Sequence, residues 1–301
     1  MMFKRCLLIL ALALGLICNS FAENKPAKES DQQISDFSLA GYGDKGKKSW
    51  DISGKSADIF DNLIKLKDVT GNMYGEKENI NLVADKGDFD KAEGKVHLEE
   101  NVVITTTGGA KMTTDSLDWD RKKKLVTTED IVKISRDNMI TVAKGATGEP
   151  NLNKITLEKD VQVDILPAAE KNPQDKGKDK IIITCDGPLE IDYAKNIATF
   201  KNNVKVNTQD NLIYSDIMDV YFVKSGANDN QEPSPAPAAM GAMGANIQKI
   251  VARGNVKIVR GENVSYSEEA VYTALDKRIV LTGKPKLIIY STEGISASFG
   301  N

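Results

Sequence analysis

Histidine is almost missing from this chain of 301 residues: His97 is the only one. Without a second imidazole, a two-histidine metal face or a histidine pair in acid–base catalysis is excluded. Cysteine is scarce too, at three residues, and two of these, Cys6 and Cys18, fall in the apolar leader described below. Removal of that leader leaves Cys185 alone, so no intrachain disulfide can form and stability must come from packing. Charge of one sign is also lacking. Forty Lys and Arg face 43 Asp and Glu, for a net charge of −3, and the signs are mixed along the chain, which offers nothing to nucleic acid. Long apolar runs are absent after the leader, as is helical periodicity.

What is there begins with an export signal. Lys4 and Arg5 form a positive end, Cys6 to Cys18 an apolar stretch, and Ser20-Phe21-Ala22 a small-x-small cleavage site. Residues 1–22 are thus expected to be a signal peptide, with an uncleaved anchor as the alternative. Against the anchor, the apolar stretch is short of the ~20 residues of a spanning helix. A lipoprotein signal at Cys18 is disfavoured by the bulky Leu16 and Ile17 before it. Residues 23–33 are polar and read as a linker. Residues 168–180 (AAEKNPQDKGKDK) and 224–246, rich in Gly, Pro, Ala and Ser, cannot bury a core face. They suggest a linker between two β domains, 34–167 and 181–301, and an insertion within the second.

Between these breaks nearly every segment alternates polar and β-branched residues, as in Lys95-Val-His-Leu-Glu99, Lys154-Ile-Thr-Leu-Glu158 and Val204-Lys-Val-Asn-Thr208. Such alternation belongs to antiparallel strands with one buried face. A repeat runs through them: Asn or Asp followed by apolar, any, apolar, starting at Asn101, Asp160, Asn203 and Asn255, and with one extra residue at Asp130. In chain order the starts, 101, 130, 160, 203 and 255, are 29, 30, 43 and 52 residues apart. Discounting the two low-complexity segments brings the longer spacings near 30. Before most of these starts stands a small residue and an acid: Ala84-Asp85, Thr114-Asp115, Cys185-Asp186 and Ser215-Asp216. Each unit reads as a hairpin that cannot bury its apolar face alone and must stack on its neighbours. The expected fold is all-β, a sheet folded over on itself as a jelly roll, with a β-solenoid as the disfavoured alternative. The extra residue at Asp130 to Ile134 implies a bulge, which leaves the facing of its neighbours open.

In order and spacing the chain resembles the periplasmic lipopolysaccharide-export proteins of the LptC and LptA (OstA-like) family. Ile34-Ser-Asp-Phe-Ser-Leu-Ala-Gly-Tyr-Gly43, Leu82-Val-Ala-Asp-Lys-Gly87 and Thr113-Thr-Asp-Ser-Leu117 are similar to the C component. Ile183-Thr-Cys-Asp-Gly187, Phe200-Lys-Asn-Asn-Val204 and Ala252-Arg-Gly-Asn-Val256 are similar to the A component. The resemblance implies an OstA-like jelly roll and a bridge component that binds lipopolysaccharide. Its implied partners are an inner-membrane ABC transporter and other jelly-roll proteins added through edge strands. The implied location is the periplasm, with tethering to the inner membrane as the variant, and no cofactor is implied. The family's C component keeps its N-terminal helix as an anchor, whereas the leader here reads as cleavable.

Chemistry of other kinds finds little support. His97 alternates with Val96 and Leu98 and is expected to face solvent. Cys185 is expected to be a small buried residue, and the recurring Asp85, Asp115, Asp186 and Asp216 to be turn or strand-edge devices. Lipid carriage requires a continuous apolar lining, because each exposed methylene costs about 0.8 kcal/mol. The candidates are Val96, Leu98, Val102, Ile104, Val161, Val163, Val204, Val206, Val256 and Ile258, each equally suited to an ordinary core. Lys95, Lys111, Lys205 and Lys257 are candidates for phosphates at the rim, against the plainer reading of a solvated strand face. Lys284-Pro-Lys-Leu-Ile-Ile289 and Asp51-Ile-Ser53 are candidate terminal strands. The competing readings are a structural β-repeat protein of the envelope with a packed interior, and a hydrolytic β-protein.

Overall fold

The computed structural model describes residues 30–43, 46–75, 79–136, 139–149, 154–166, 180–192, 194–223, 246–273, 275–276 and 278–290. The expected leader, residues 1–22, lies outside the described residues, as do most of 23–33, 168–180 and 224–246. From Asp31 onward the chain forms one compact unit.

Among the described residues seventeen strands make up one sheet. They are β1 (Gln32–Tyr42), β2 (Lys48–Ile59), β3 (Leu63–Tyr74), β4 (Asn79–Asp90), β5 (Lys95–Thr106), β6 (Lys111–Asp120), β7 (Leu125–Arg136), β8 (Met139–Gly148) and β9 (Lys154–Ile165). There follow β10 (Ile181–Cys185), β11 (Leu189–Asp192), β12 (Ile197–Asn207), β13 (Asn211–Val223), β14 (Asn246–Arg260), β15 (Asn263–Thr273), β16 (Arg278–Thr282) and β17 (Lys286–Ile288). From β1 to β9 each strand pairs antiparallel with the next. The short β10 and β11 together act as one interrupted strand, pairing on one side with β9 and on the other with β12. The meander then runs through β13, β14 and β15 to a second interrupted strand, β16 with β17. The fold is therefore an all-β jelly roll of antiparallel hairpins. Asp51 to Ser53 is not terminal, contrary to the sequence-based expectation: it lies in β2, paired with β1 on one side and β3 on the other.

The hairpin turns follow from local chemistry. Asp90, Asp120 and Asp192 each close a strand and accept hydrogen bonds from backbone N–H groups of the following turn, at 2.8 Å from Glu93, 2.9 Å from Lys123, and 3.0 and 2.9 Å from Ala194 and Lys195. Each of these turns ends on a residue with positive φ, namely Gly94, Lys124 and Asn196. An Asp that organises the turn and a left-handed residue that ends it fix the register of the hairpin.

The repeat marks the line along which strands bend. Asp36, Asp68, Asn101, Asp160, Asn203 and Asn255 all have φ between 49° and 54°, and Asn and Asp accept this left-handed region more readily than other side chains. Most of these positions coincide with register shifts in the ladder, and bulges of this kind bend a strand and raise its twist. The next inward residue forms a buried spine: Phe37, Val69, Val102, Val132, Val161, Val204 and Val256. Each is directly opposite a small residue across its hairpin: Phe37 with Gly54, Val69 with Ala84, Val102 with Thr114, Val132 with Ala143, Val161 with Cys185, Val204 with Ser215, and Val256 with Ser267. Large against small lets the folded-over sheet close at the bend without overpacking. At Gly54 a Cβ would lie 2.7 Å from the Phe37 ring, so no larger residue fits.

The small residue's neighbour latches the unit to the following strand. Asn101 Nδ2 donates to Asp85 at 2.6 Å, Asn203 to Asp186 at 2.5 Å and Asn255 to Asp216 at 2.8 Å. In the unit with the extra residue, Ser116 Oγ donates to Asp130 at 2.6 Å instead. There Glu129 and Asp130 stand against the single Gly145 on β8, which is the expected bulge. Ile131, opposite Lys144, is 65% exposed and Val132, opposite Ala143, is fully buried, so the surplus residue falls at Glu129 and Asp130 and the inward phase is kept beyond it.

Candidate functional site: the apolar interior and its terminal strands

Eight of the ten candidate lining residues, Leu98, Val102, Ile104, Val161, Val163, Val204, Val206 and Val256, are at most 9% exposed. Val96 and Ile258 are partly buried and pack against the same side chains. They belong to two groups. Val96, Leu98, Val102 and Ile104 pack with Phe37, Leu66, Val69 and Leu117. Val161, Val163, Val204, Val206, Val256 and Ile258 pack with Leu157, Ile165, Leu189, Phe200 and Met218. Met112 touches both, and Val132 and Ala143, from ahead of residue 168, belong to the second group. The apolar interior thus runs on through residues before and after the 168–180 segment.

The interior is uncovered at the two ends of the meander. Residues directly opposite in an antiparallel pair share a face. Leu39 is opposite Ile52, and Ile34 is opposite the buried Ala57, yet Leu39 and Ile34 are 58% and 44% exposed. At the other end Ile279 is opposite the buried Tyr272 and Leu287 opposite Ser265, whose partner is Ile258; their exposures are 49% and 61%. The inward row that is dry in the middle of the sheet therefore meets solvent on β1, β16 and β17. The pattern of the sequence did not single out β1, although Asp36-Phe-Ser-Leu39 carries the repeat and could have revealed it.

Polar atoms sit inside this interior. Ser215 Oγ, Ser267 Oγ and the Tyr272 hydroxyl are buried without a partner among the described residues, and burial pushes the Tyr272 phenol above its ordinary range. Cys185 is buried and has no disulfide, and desolvation raises its thiol, which suppresses the reactive thiolate.

The four candidate head-group lysines lie on the opposite phase, next to inward residues, and so face outward. Lys95 pairs with Glu93 at 2.5 Å, which raises its ammonium above the usual range. Lys205 and Lys257 stand over tyrosine rings, and Lys111 is exposed at the start of β6. His97 is also on the outer face, with Nδ1 2.7 Å from Asp118. Among the described residues no group of three or more His, Cys, Asp and Glu is placed to hold a metal ion.

A second polar feature escaped the sequence reading because its members are scattered through β2, β3 and β4. Asp51 accepts from Lys48 at 2.7 Å, Asn72 at 2.8 Å and the Tyr74 hydroxyl at 2.7 Å, and Asn81 donates to Asn72 at 2.9 Å. The Lys48 ammonium, then Asn72 and Tyr74, hold the Asp51 carboxyl down at about 2.

Residues 6–165 match the family model of lipopolysaccharide-assembly, LptC-related proteins. The chain belongs to this LptC-related family. Residues 187–298 match a second model, the LptA/(LptD N-terminal domain) LPS transport protein, so the two resemblances seen in the sequence fall on the two halves where they were expected. Both are families of lipopolysaccharide transport. No curated protein matches the chain.

Proposed function

We propose that the chain is a periplasmic bridge component of lipopolysaccharide transport that shields acyl chains in its apolar interior between an inner-membrane ABC transporter and the outer membrane. The observation that carries this reading is the inward apolar row left uncovered on both terminal strands. A self-contained core closes its last strand with polar residues or a covering element, because exposed aliphatic surface costs about 25 cal/mol per Å². Here Leu39 and Leu287 continue the interior to the edge, where another jelly roll adding a strand would extend both the hydrogen-bond ladder and the apolar surface. A bound acyl chain would occupy the same row. Val96, Leu98, Val102, Ile104, Val161, Val163, Val204, Val206, Val256 and Ile258 are proposed as its lining.

A second reading, a structural repeat protein with a packed interior, draws on the spine itself, whose valines are at most 1% exposed. Photocrosslinking to lipopolysaccharide in cells separates the two. Probes at Val102, Ile104, Val204 and Val206 are expected to label lipid, while probes at the outward Val103 and Lys205 stay dark. Dark probes at all six positions in folded, exported protein would favour the packed repeat.

A further inference from the structure

The outer face of the second half carries a row that the proposed function does not use. Lys205 on β12 is directly opposite Tyr214 on β13, Tyr214 opposite Lys257 on β14, Lys257 opposite Tyr266 on β15, and Tyr266 opposite Lys286 on β17. The row is a line of alternating lysine and tyrosine at right angles to the strands. Lys205 and Lys257 approach the Tyr214 ring at 5.8 and 5.7 Å, and Lys257 approaches Tyr266 at 6.0 Å. The rings act as spacers that hold the ammonium groups apart while their hydroxyls add donors between them.

Lys205 and Lys257 are held by ring contacts and not by carboxylates among the described residues. Nearby cations have carboxylate partners, Lys201 on Glu190 and Arg253 on Asp219, but among the described residues Lys205, Lys257 and Lys286 enter no ion pair. The acid on the neighbouring outward position of β13, Asp216, accepts from the Asn255 amide and forms no ion pair with the row among the described residues. Strands are spaced about 4.8 Å apart, so lysines on alternate strands recur about every 9.6 Å over about 19 Å. A linear row of cations at that pitch matches a linear polyanion with sparse, regular charges. A nucleic acid, with a charge about every 1.7 Å of duplex axis, is far too dense, and a compact phosphorylated head would engage one end of the row only.

We propose that the Lys205–Tyr214–Lys257–Tyr266–Lys286 row is a binding strip for a linear acidic glycan with one carboxylate per disaccharide. The ammonium groups bind successive carboxylates and the tyrosine hydroxyls bond the ring hydroxyls between them. The strip lies on the face opposite the apolar interior, and its ligand needs no acyl chain.

The test is fluorescence anisotropy of the full chain with a labelled octasaccharide of alternating glucuronate and N-acetylglucosamine, at low and moderate salt. Binding that weakens with salt is expected, with loss of about tenfold or more in the double variant Lys205→Gln, Lys257→Gln. The same variant should keep its denaturation midpoint, which separates ligand binding from a merely structural role of the ladder. A neutral N-acetylglucosamine oligomer of equal length should not compete. The proposal is overturned if the octasaccharide does not bind, if the double variant binds it equally well, if the neutral oligomer competes, or if only delipidated, phosphorylated saccharide binds. None of these outcomes depends on whether the interior holds lipid.

Discussion

At the residue scale the repeat resolves into three parts with separate physical roles: a left-handed Asn or Asp that bends the strand, a valine that fills the bend, and a small residue across the hairpin that makes room for it. Asn203 shows how they divide. Its φ is 53° and its amide donates to Asp186. Asn203→Gly keeps the backbone conformation and loses only the bond, about 1 kcal/mol, whereas Asn203→Ala adds a left-handed strain of about 1–2 kcal/mol. Denaturant midpoints should therefore fall in the order parent, glycine, alanine; an alanine variant as stable as the glycine variant would show that the bend is not held by this residue. Val204→Ala is expected to cost about 2 kcal/mol, because Ser215 opposite it is too small to fill the gap. The spacing of the Asn and Asp residues was legible in the sequence, but two members were not identified. Asp68-Val-Thr-Gly71 breaks the apolar-any-apolar pattern at Gly71, and only its left-handed backbone places it with the others. That the small residue faces the valine was also hidden, since it depends on register between strands rather than on spacing within one.

Single elements show where alternation is a sufficient guide and where it is not. Strands β5, β12 and β14 were readable because inward aliphatics alternate with polar or charged residues, before the bend in β5 and after it in β12 and β14. β1 was not. Its outward and inward positions are shared among Ser, Gly, Gln and apolar residues, and its two most exposed inward side chains lack the partner strand that would bury them. The Asp51 cluster, which joins β2 to β3, was equally hidden, and it gives these strands a pH dependence with a definite sign. The Asp51 carboxyl falls from its ordinary 3.8 to about 2 in the folded chain, so its charged form is favoured by folding. That contribution is fully present above pH about 4 and is lost as pH falls toward 2. Asp120 and Asp192, lowered by backbone N–H groups in their turns, act with the same sign. Asp51→Asn should be less stable than the parent at neutral pH, and the difference should shrink below pH 4 and be lost only as pH falls through about 2. Midpoints at pH 7, 4 and 2.5 would check this, and a difference that stays constant across the three would assign the cluster's effect to packing rather than to charge.

At the scale of the whole molecule, the two family matches divide the chain in sequence, while the hydrogen bonds join it. Ile181, Ile183 and Cys185 on β10 are opposite Ile165, Val163 and Val161 on β9, and β11 continues the same pairing with Leu189 opposite Leu157. All eight of these side chains are buried in one cluster. Separating the halves here would uncover a full strand edge on each and expose that cluster, a far larger loss than either half could recover by itself. Cutting the covalent chain within 168–179, by contrast, leaves every pairing between the described strands in place, and the closure entropy of a connection grows only slowly with its length. A protease site placed in that segment should therefore yield two fragments that co-elute after cleavage and unfold in one transition, at a midpoint that now depends on concentration. Mass action requires that dependence once the two pieces are separate molecules. Fragments that part on cleavage, or that unfold in two independent transitions, would mean that each half closes its own interior and that the ladder between β9 and β10 is dispensable. Co-elution would make the chain a single length of bridge, with an apolar surface that runs from Leu39 to Leu287 and, among the described strands, two edges at which it can be extended.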